Sequence, residues 1–266
     1  MRKPAEIATS FIKIGENKAS LPAVKMLILG MFAGMFVALA GAGSAIAATT
    51  VSNPSLSRLC NAMIFPAGLV MVLLAGSELF TGNSLMVISV LEKKVNLKEL
   101  LKNWIVVYFG NLIGSLFVAV LFVFSHVPGM FEGKLAEFMV SGAVAKTHLT
   151  FSDAFLRAIL CNVLVCLAVW VAASVIHAEG KIIALYLPIV VFVLCGFEHC
   201  VANMFSIPAG IFAAGEYGVV AEGLNWYGFF VKNLIPVTLG NIVGGSMVGI
   251  GYWFVYLQGR ISTKNK

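Results

Sequence analysis

Gly76-Ser77-Glu78-Leu79-Phe80-Thr81-Gly82-Asn83 stands in the middle of one long apolar run, and Gly196-Phe197-Glu198-His199-Cys200-Val201-Ala202-Asn203 stands in the middle of another. Both read Gly-x-Glu-x-x-x-x-Asn. Downstream of the first comes Gly110-Asn111-Leu112-Ile113-Gly114-Ser115; downstream of the second, in the same order, comes Gly240-Asn241-Ile242-Val243-Gly244-Gly245-Ser246. Small residues are common wherever membrane helices pack closely, so either match alone says little. Two matches in register mark an internal repeat.

Working outward, the runs that hold these motifs belong to a chain of 266 residues that is 60% hydrophobic and 11% charged. Soluble domains carry about 25% charged residues, so this chain cannot cover a water-facing surface. Its apolar runs match the roughly 20 residues that span hydrocarbon. Six spans are expected: Met26–Ala48, Cys60–Leu91, Trp104–Phe124, Ala154–Ile176, Ile182–Phe212 and Val231–Leu257. The second and fifth are longer than one crossing requires and carry polar residues in their middles. A repeat of three spans is odd in number, so its second copy enters the membrane from the opposite side, and the repeat is inverted. The expected organisation is one all-α transmembrane domain over 26–257 with halves at about 26–125 and 154–257. Segment 1–25 precedes it and a tail at 258–266 follows.

Of the 18 Lys and Arg residues, thirteen fall on the side that holds both termini and five on the other. The excess of basic residues marks the cytoplasmic side, which puts both termini there. The net charge of +6 is thereby a topology signal and not a nucleic-acid footprint. Segment 1–25 lacks the apolar core and small-residue cleavage site of a signal peptide. Ile7, Ala8, Phe11 and Ile14 fall near one helical face, as expected for a short helix lying on the membrane surface. The five cysteines read as small apolar packing residues; a metal site from Cys195, His199 and Cys200 would lack further ligands.

Inverted repeats place a substrate path near the bilayer midplane, between helices broken at corresponding positions. Glu78 and Glu198, with Asn83 and Asn203 after them, sit where those breaks are expected. A carboxylate at such depth needs hydrogen-bonding partners. Two roles stand open: accepting from backbone N–H groups freed by the break, or acting directly in transport. His199 is the one histidine deep in a span, opposite Thr81 if the two repeats face each other, and a histidine there can change charge near neutral pH. An intramembrane enzyme pairing His199 with Glu198 or a cysteine is the competing reading. Neighbouring helix residues point about 100° apart, which suits a relay poorly.

The stretches around Glu78–Gly82 and Gly196–Met204, and Asn233-Leu234-Ile235-Pro236-Val237-Thr238-Leu239-Gly240-Asn241, resemble the formate/nitrite transporter family from about Ala5 to Tyr256. The resemblance implies an aquaporin-like fold, a homopentamer with one pore per subunit, and passage of formate, nitrite or hydrosulfide across the inner membrane without a cofactor. It puts the pore histidine on His199, its hydroxyl partner on Thr81, a lysine near the external mouth on Lys146 and a nearby asparagine on Asn162. The family's apolar constrictions look like Phe65 and Leu69 before the first break, Leu79 within it and Phe192 on the fifth span. On this reading a protonated His199 gives its proton to the anion, so that a neutral acid crosses the remaining apolar ring. The choice among the three anions stays open, because they share a charge and differ little in size. The Asn-Pro-Ala motif of water channels is absent after Asn83 and Asn203.

Overall fold

The computed structural model describes residues 1–259 and is all helical among them. The expected tail at 258–266 therefore falls almost entirely outside the described residues. Eleven α-helices follow in order. α1 spans Pro4–Ala19, α2 Ala23–Thr49, α3 Pro54–Ile64, α4 Ala67–Ala75 and α5 Val87–Leu91. α6 spans Leu97–Phe124, α7 Lys134–Thr147, α8 Phe151–Ala173, α9 Ala178–Leu194, α10 Cys200–Glu216 and α11 Ile235–Tyr256. A 3-10 turn over Gly82–Met86 precedes α5, and a π-helical segment over Gly228–Leu234 leads into α11.

Among the described residues, five helical stretches are long and apolar enough to cross a bilayer: Ala23–Thr49, Pro54–Ala75, Leu97–Phe124, Phe151–Ala173 and Gly228–Tyr256. The remaining crossing is divided between α9 and α10, each of 17 residues. The two broken spans are less alike than their motifs suggest. The second begins at Pro54, earlier than the expected Cys60, and bends at Phe65–Pro66, where proline withholds an N–H. Its break comes late, with only a short stub after it. The fifth breaks at its centre. We call the face carrying α1 inner and the opposite face outer.

Each break begins at a glycine in the left-handed region, Gly76 at φ +79° and Gly196 at φ +69°. A side chain is disfavoured there, and glycine closes the preceding helix without strain. The unbroken helices approach closely in pairs, α2 with α6 and α8 with α11. A methyl group added at Gly114 would strike the carbonyl of Met31, and one at Gly244 that of Ile159. These are corresponding contacts in the two halves. Where the halves meet, the equivalent residues Tyr108 and Thr238 bond to each other at 2.9 Å.

α1 does not lie on lipid as its pattern predicts. Its buried residues Ile7, Ala8 and Phe11 pack on Leu85, Ile88, Cys166, Trp170 and Leu257 of the same chain. Phe11 stacks on Trp170 at 5.2 Å, and Ser89 Oγ lies 3.1 and 3.0 Å from the carbonyls of Phe11 and Ile12. An amphipathic pattern specifies an apolar surface to cover, and here that surface is protein.

Candidate functional site

The two breaks are built from one set of parts used twice. At the first, Asn111 Oδ1 accepts from Phe80 N at 2.9 Å, while its Nδ2 donates to the carbonyls of Gly30 at 2.8 Å and Glu78 at 2.9 Å. At the second, Asn241 Oδ1 accepts from Cys200 N at 2.9 Å, and its Nδ2 donates to Ala158 at 2.8 Å and Glu198 at 3.0 Å. A broken helix frees both N–H and C=O groups, and an amide side chain serves both. The carboxylates, which can only accept, do not tend the backbone. The role expected for Glu78 and Glu198 as acceptors of freed N–H groups is thus held by Asn111 and Asn241.

Each carboxylate instead holds a lysine and an asparagine. Glu78 Oε1 lies 2.7 Å from Lys18 Nζ, and its Oε2 accepts from Asn83 Nδ2 at 2.7 Å. Asn83 also donates to Asn103 Oδ1 at 2.8 Å. Glu198 Oε1 lies 2.8 Å from Lys146 Nζ, its Oε2 accepts from Asn203 Nδ2 at 2.6 Å, and Asn203 donates to Asn233 Oδ1 at 2.7 Å. The circuits close alike, Asn103 reaching Lys18 O and Asn233 reaching Lys146 O. Both carboxylates are buried, and each is balanced by one partner cation. Lys146 is accordingly no free entrance charge.

Between the breaks, Thr81 Oγ1 and His199 Nε2 stand 2.9 Å apart, both buried. His199 is the N-cap of α10, and its Nδ1 accepts from Ala202 N at 3.1 Å. That bond fixes the tautomer: a neutral ring carries its hydrogen on Nε2, directed at Thr81. Leu79 holds the position in the first repeat that His199 holds in the second, so the symmetry is broken where the polar pair is made. Asn162 lies beneath Thr81 and has no contact with Lys146 among those described. Its Nδ2 donates to Thr81 O at 3.2 Å, Ser84 Oγ at 3.3 Å and Asn241 O at 2.6 Å, tying one break to the other.

Apolar side chains close the path on either side. Phe192 packs at 5.9 Å from His199, and Phe65 meets Phe192 edge-on at 5.6 Å. On the inner side a cavity of about 300 Å³ ends at Leu69 and Leu79. Its walls carry Arg2, Lys18 and Lys181, with α1 supplying Phe11, Ile14 and Gly15. Neither Thr81 nor His199 borders it. The expected site residues therefore fall into two places. Thr81, His199, Asn162 and Phe192 gather at the centre, while Lys146 and Glu198 form an outer cluster whose inner counterpart is Lys18 with Glu78.

The sequence profile described as formate/nitrite transporter matches residues 5–254. The chain is 41% identical to "Uncharacterized transporter YrhG" of Bacillus subtilis (strain 168), over 96% of this chain and 94% of that protein. It is 38% identical to "Formate channel FocA" of Haemophilus influenzae, over 91% of each. A solved structure described as a pentameric formate channel with formate bound superposes with a TM-score of 0.79 at 37% identity, covering 89% of this chain and 98% of that one. An aquaglyceroporin from Plasmodium falciparum superposes at 0.50 with 17% identity, covering 91% of this chain and all of that one, a likeness of fold alone.

Proposed function

Because this chain belongs to the formate/nitrite transporter family, we propose that it conducts formate, nitrite or hydrosulfide through a path centred on Thr81 and His199. It is an integral membrane protein and a channel or transporter, not an enzyme. The observation that carries the reading is the isolated donor pair, Thr81 and His199, sealed between Phe65 with Phe192 on one side and Leu69 with Leu79 on the other. A small anion stripped of water in such a place needs donors that do not themselves bring a fixed charge. An anion inserted between Nε2 and Oγ1 exchanges their mutual bond for two bonds to itself. The conducting assembly is a homopentamer in the inner membrane with both termini cytoplasmic.

His199 also exchanges a proton with the anion. Transfer from Nε2 requires a ring that holds hydrogens on both nitrogens, and the second can form only where Nδ1 releases the Ala202 amide. That nitrogen also faces the positive end of the α10 dipole, so an anion at Nε2 is needed to balance the charge. Anion binding and cap release are then coupled. His199→Asn tests this, because asparagine caps a helix well and keeps a donor toward Thr81 while removing the transferable proton. In proteoliposomes with a trapped pH dye, this variant is expected to pass formate down its gradient with no pH dependence of flux and no accompanying proton. Wild-type pH dependence in the variant moves the proton step elsewhere; loss of all anion flux would mean that the retained donor does not suffice and that passage itself requires the proton.

A further inference from the structure

The two lysines nearest the breaks cannot supply a net field, because each is balanced by a carboxylate at 2.7 or 2.8 Å. An anion path nevertheless gains from positive charge at its mouths, since a charged cleft concentrates the ion it attracts. We infer that Arg58 at the outer mouth, and Lys181 with Arg2 beside it at the inner mouth, are the cations that gather the anion. This inference rests on the anion reading above.

Arg58 and Phe65 are seven residues apart, two turns along α3, and so share one face of the helix. That spacing sets the Arg58 backbone about 10 Å outward of that of Phe65 along the helix axis. Arg58 is exposed and reaches across to α9, where Nη1 lies 3.5 Å from the carbonyl of Leu194. The same nitrogen lies 2.8 Å from where a side chain at Gly196 would begin, so the second break is shaped to receive it. Among the described residues no carboxylate lies within 4 Å of it. Most of its donors remain open to an anion approaching Phe192 and Phe65. Lys181 is the cation at the start of the broken helix in the other half. It stands in the first turn of α9, eleven residues before Phe192 on the same face, and lines the inner cavity with no carboxylate partner among those described.

Formate uptake into right-side-out and inside-out vesicles separates the two mouths. Loss of one unit charge about 7 Å from the ion, in water, should raise the half-saturation concentration about threefold. Arg58→Gln is expected to do so from the outer face only, and Lys181→Gln from the inner face only. In about 1 M salt, where screening acts over about 3 Å, both differences should vanish. Lys134→Gln removes an exposed outer charge away from α3 and is the control. Should Arg58→Gln fail to assemble, Ser55→Glu places a carboxylate one turn before the guanidinium and should give the same rise. An unchanged half-saturation at low salt in Arg58→Gln or Ser55→Glu, or an equal rise in Lys134→Gln, overturns the inference. Absence of formate flux in the wild type would instead sink the formate reading and leave nitrite and hydrosulfide to be run through the same variants.

Discussion

The circuit of Lys146, Glu198, Asn203 and Asn233 joins four side chains so that removing one leaves the others without partners. Deleting one member of a buried ion pair costs about 3 to 5 kcal/mol, because the remaining charge stays desolvated. Glu198→Leu should therefore destabilise the purified oligomer by about that much against denaturant, whereas Glu198→Gln, whose one oxygen still accepts from Lys146 or Asn203 while its NH2 faces the other, should cost less. Adding Lys146→Met to Glu198→Leu should recover part of the loss, as coupling between contacting residues requires. Additive losses would mean that the pair is not coupled. The glutamates and the asparagines after them are visible in the sequence as a repeated spacing, and His199 stands out as a deep histidine. Asn103 and Asn233 carry a signal too, the repeated Lys102-Asn103 and Lys232-Asn233 in register with the glycine motif. A comparison begun at Gly110 passes over it. Lys18 has no such mark, because its role depends on α1 folding back across the inner face.

At the scale of elements, hydropathy finds the six crossings, and the inversion follows from their number. What it cannot find is where α1 goes, since an apolar stripe of that size fits lipid or protein equally. Gly15 decides the matter physically: a side chain there would collide with the Ser89 hydroxyl, so the two helices touch at a glycine. Gly15→Val should lift α1 from its seat, expose residues 4–19 to added protease and separate Lys18 from Glu78. If protease sensitivity in detergent stays at the wild-type level, α1 is not held by this contact. The bend at Phe65–Pro66 is written in the sequence as a proline inside an apolar run. The π-helical turn before α11 is not, since the equivalent Asn103 makes the matching contacts from a regular α-helix.

At the scale of the molecule, apolar side chains stay exposed along whole helix faces, among them Ile105, Phe109, Ile113 and Phe117 of α6 and Leu239, Val243 and Met247 of α11. Lipid covers part of such a surface and, in the proposed pentamer, neighbouring copies the rest. Native mass spectrometry of protein released in mild detergent is expected to give five copies; a stable monomer or trimer would contradict the proposed assembly. The halves also tell something of descent. Three crossings that fold against their own inverted image require only one gene, provided the translocation machinery threads the product both ways with similar ease. Joining two such copies into a single chain removes that freedom, because the first copy's direction dictates the second's. Only then can the two halves drift apart, a leucine in one becoming the counterpart of a histidine in the other.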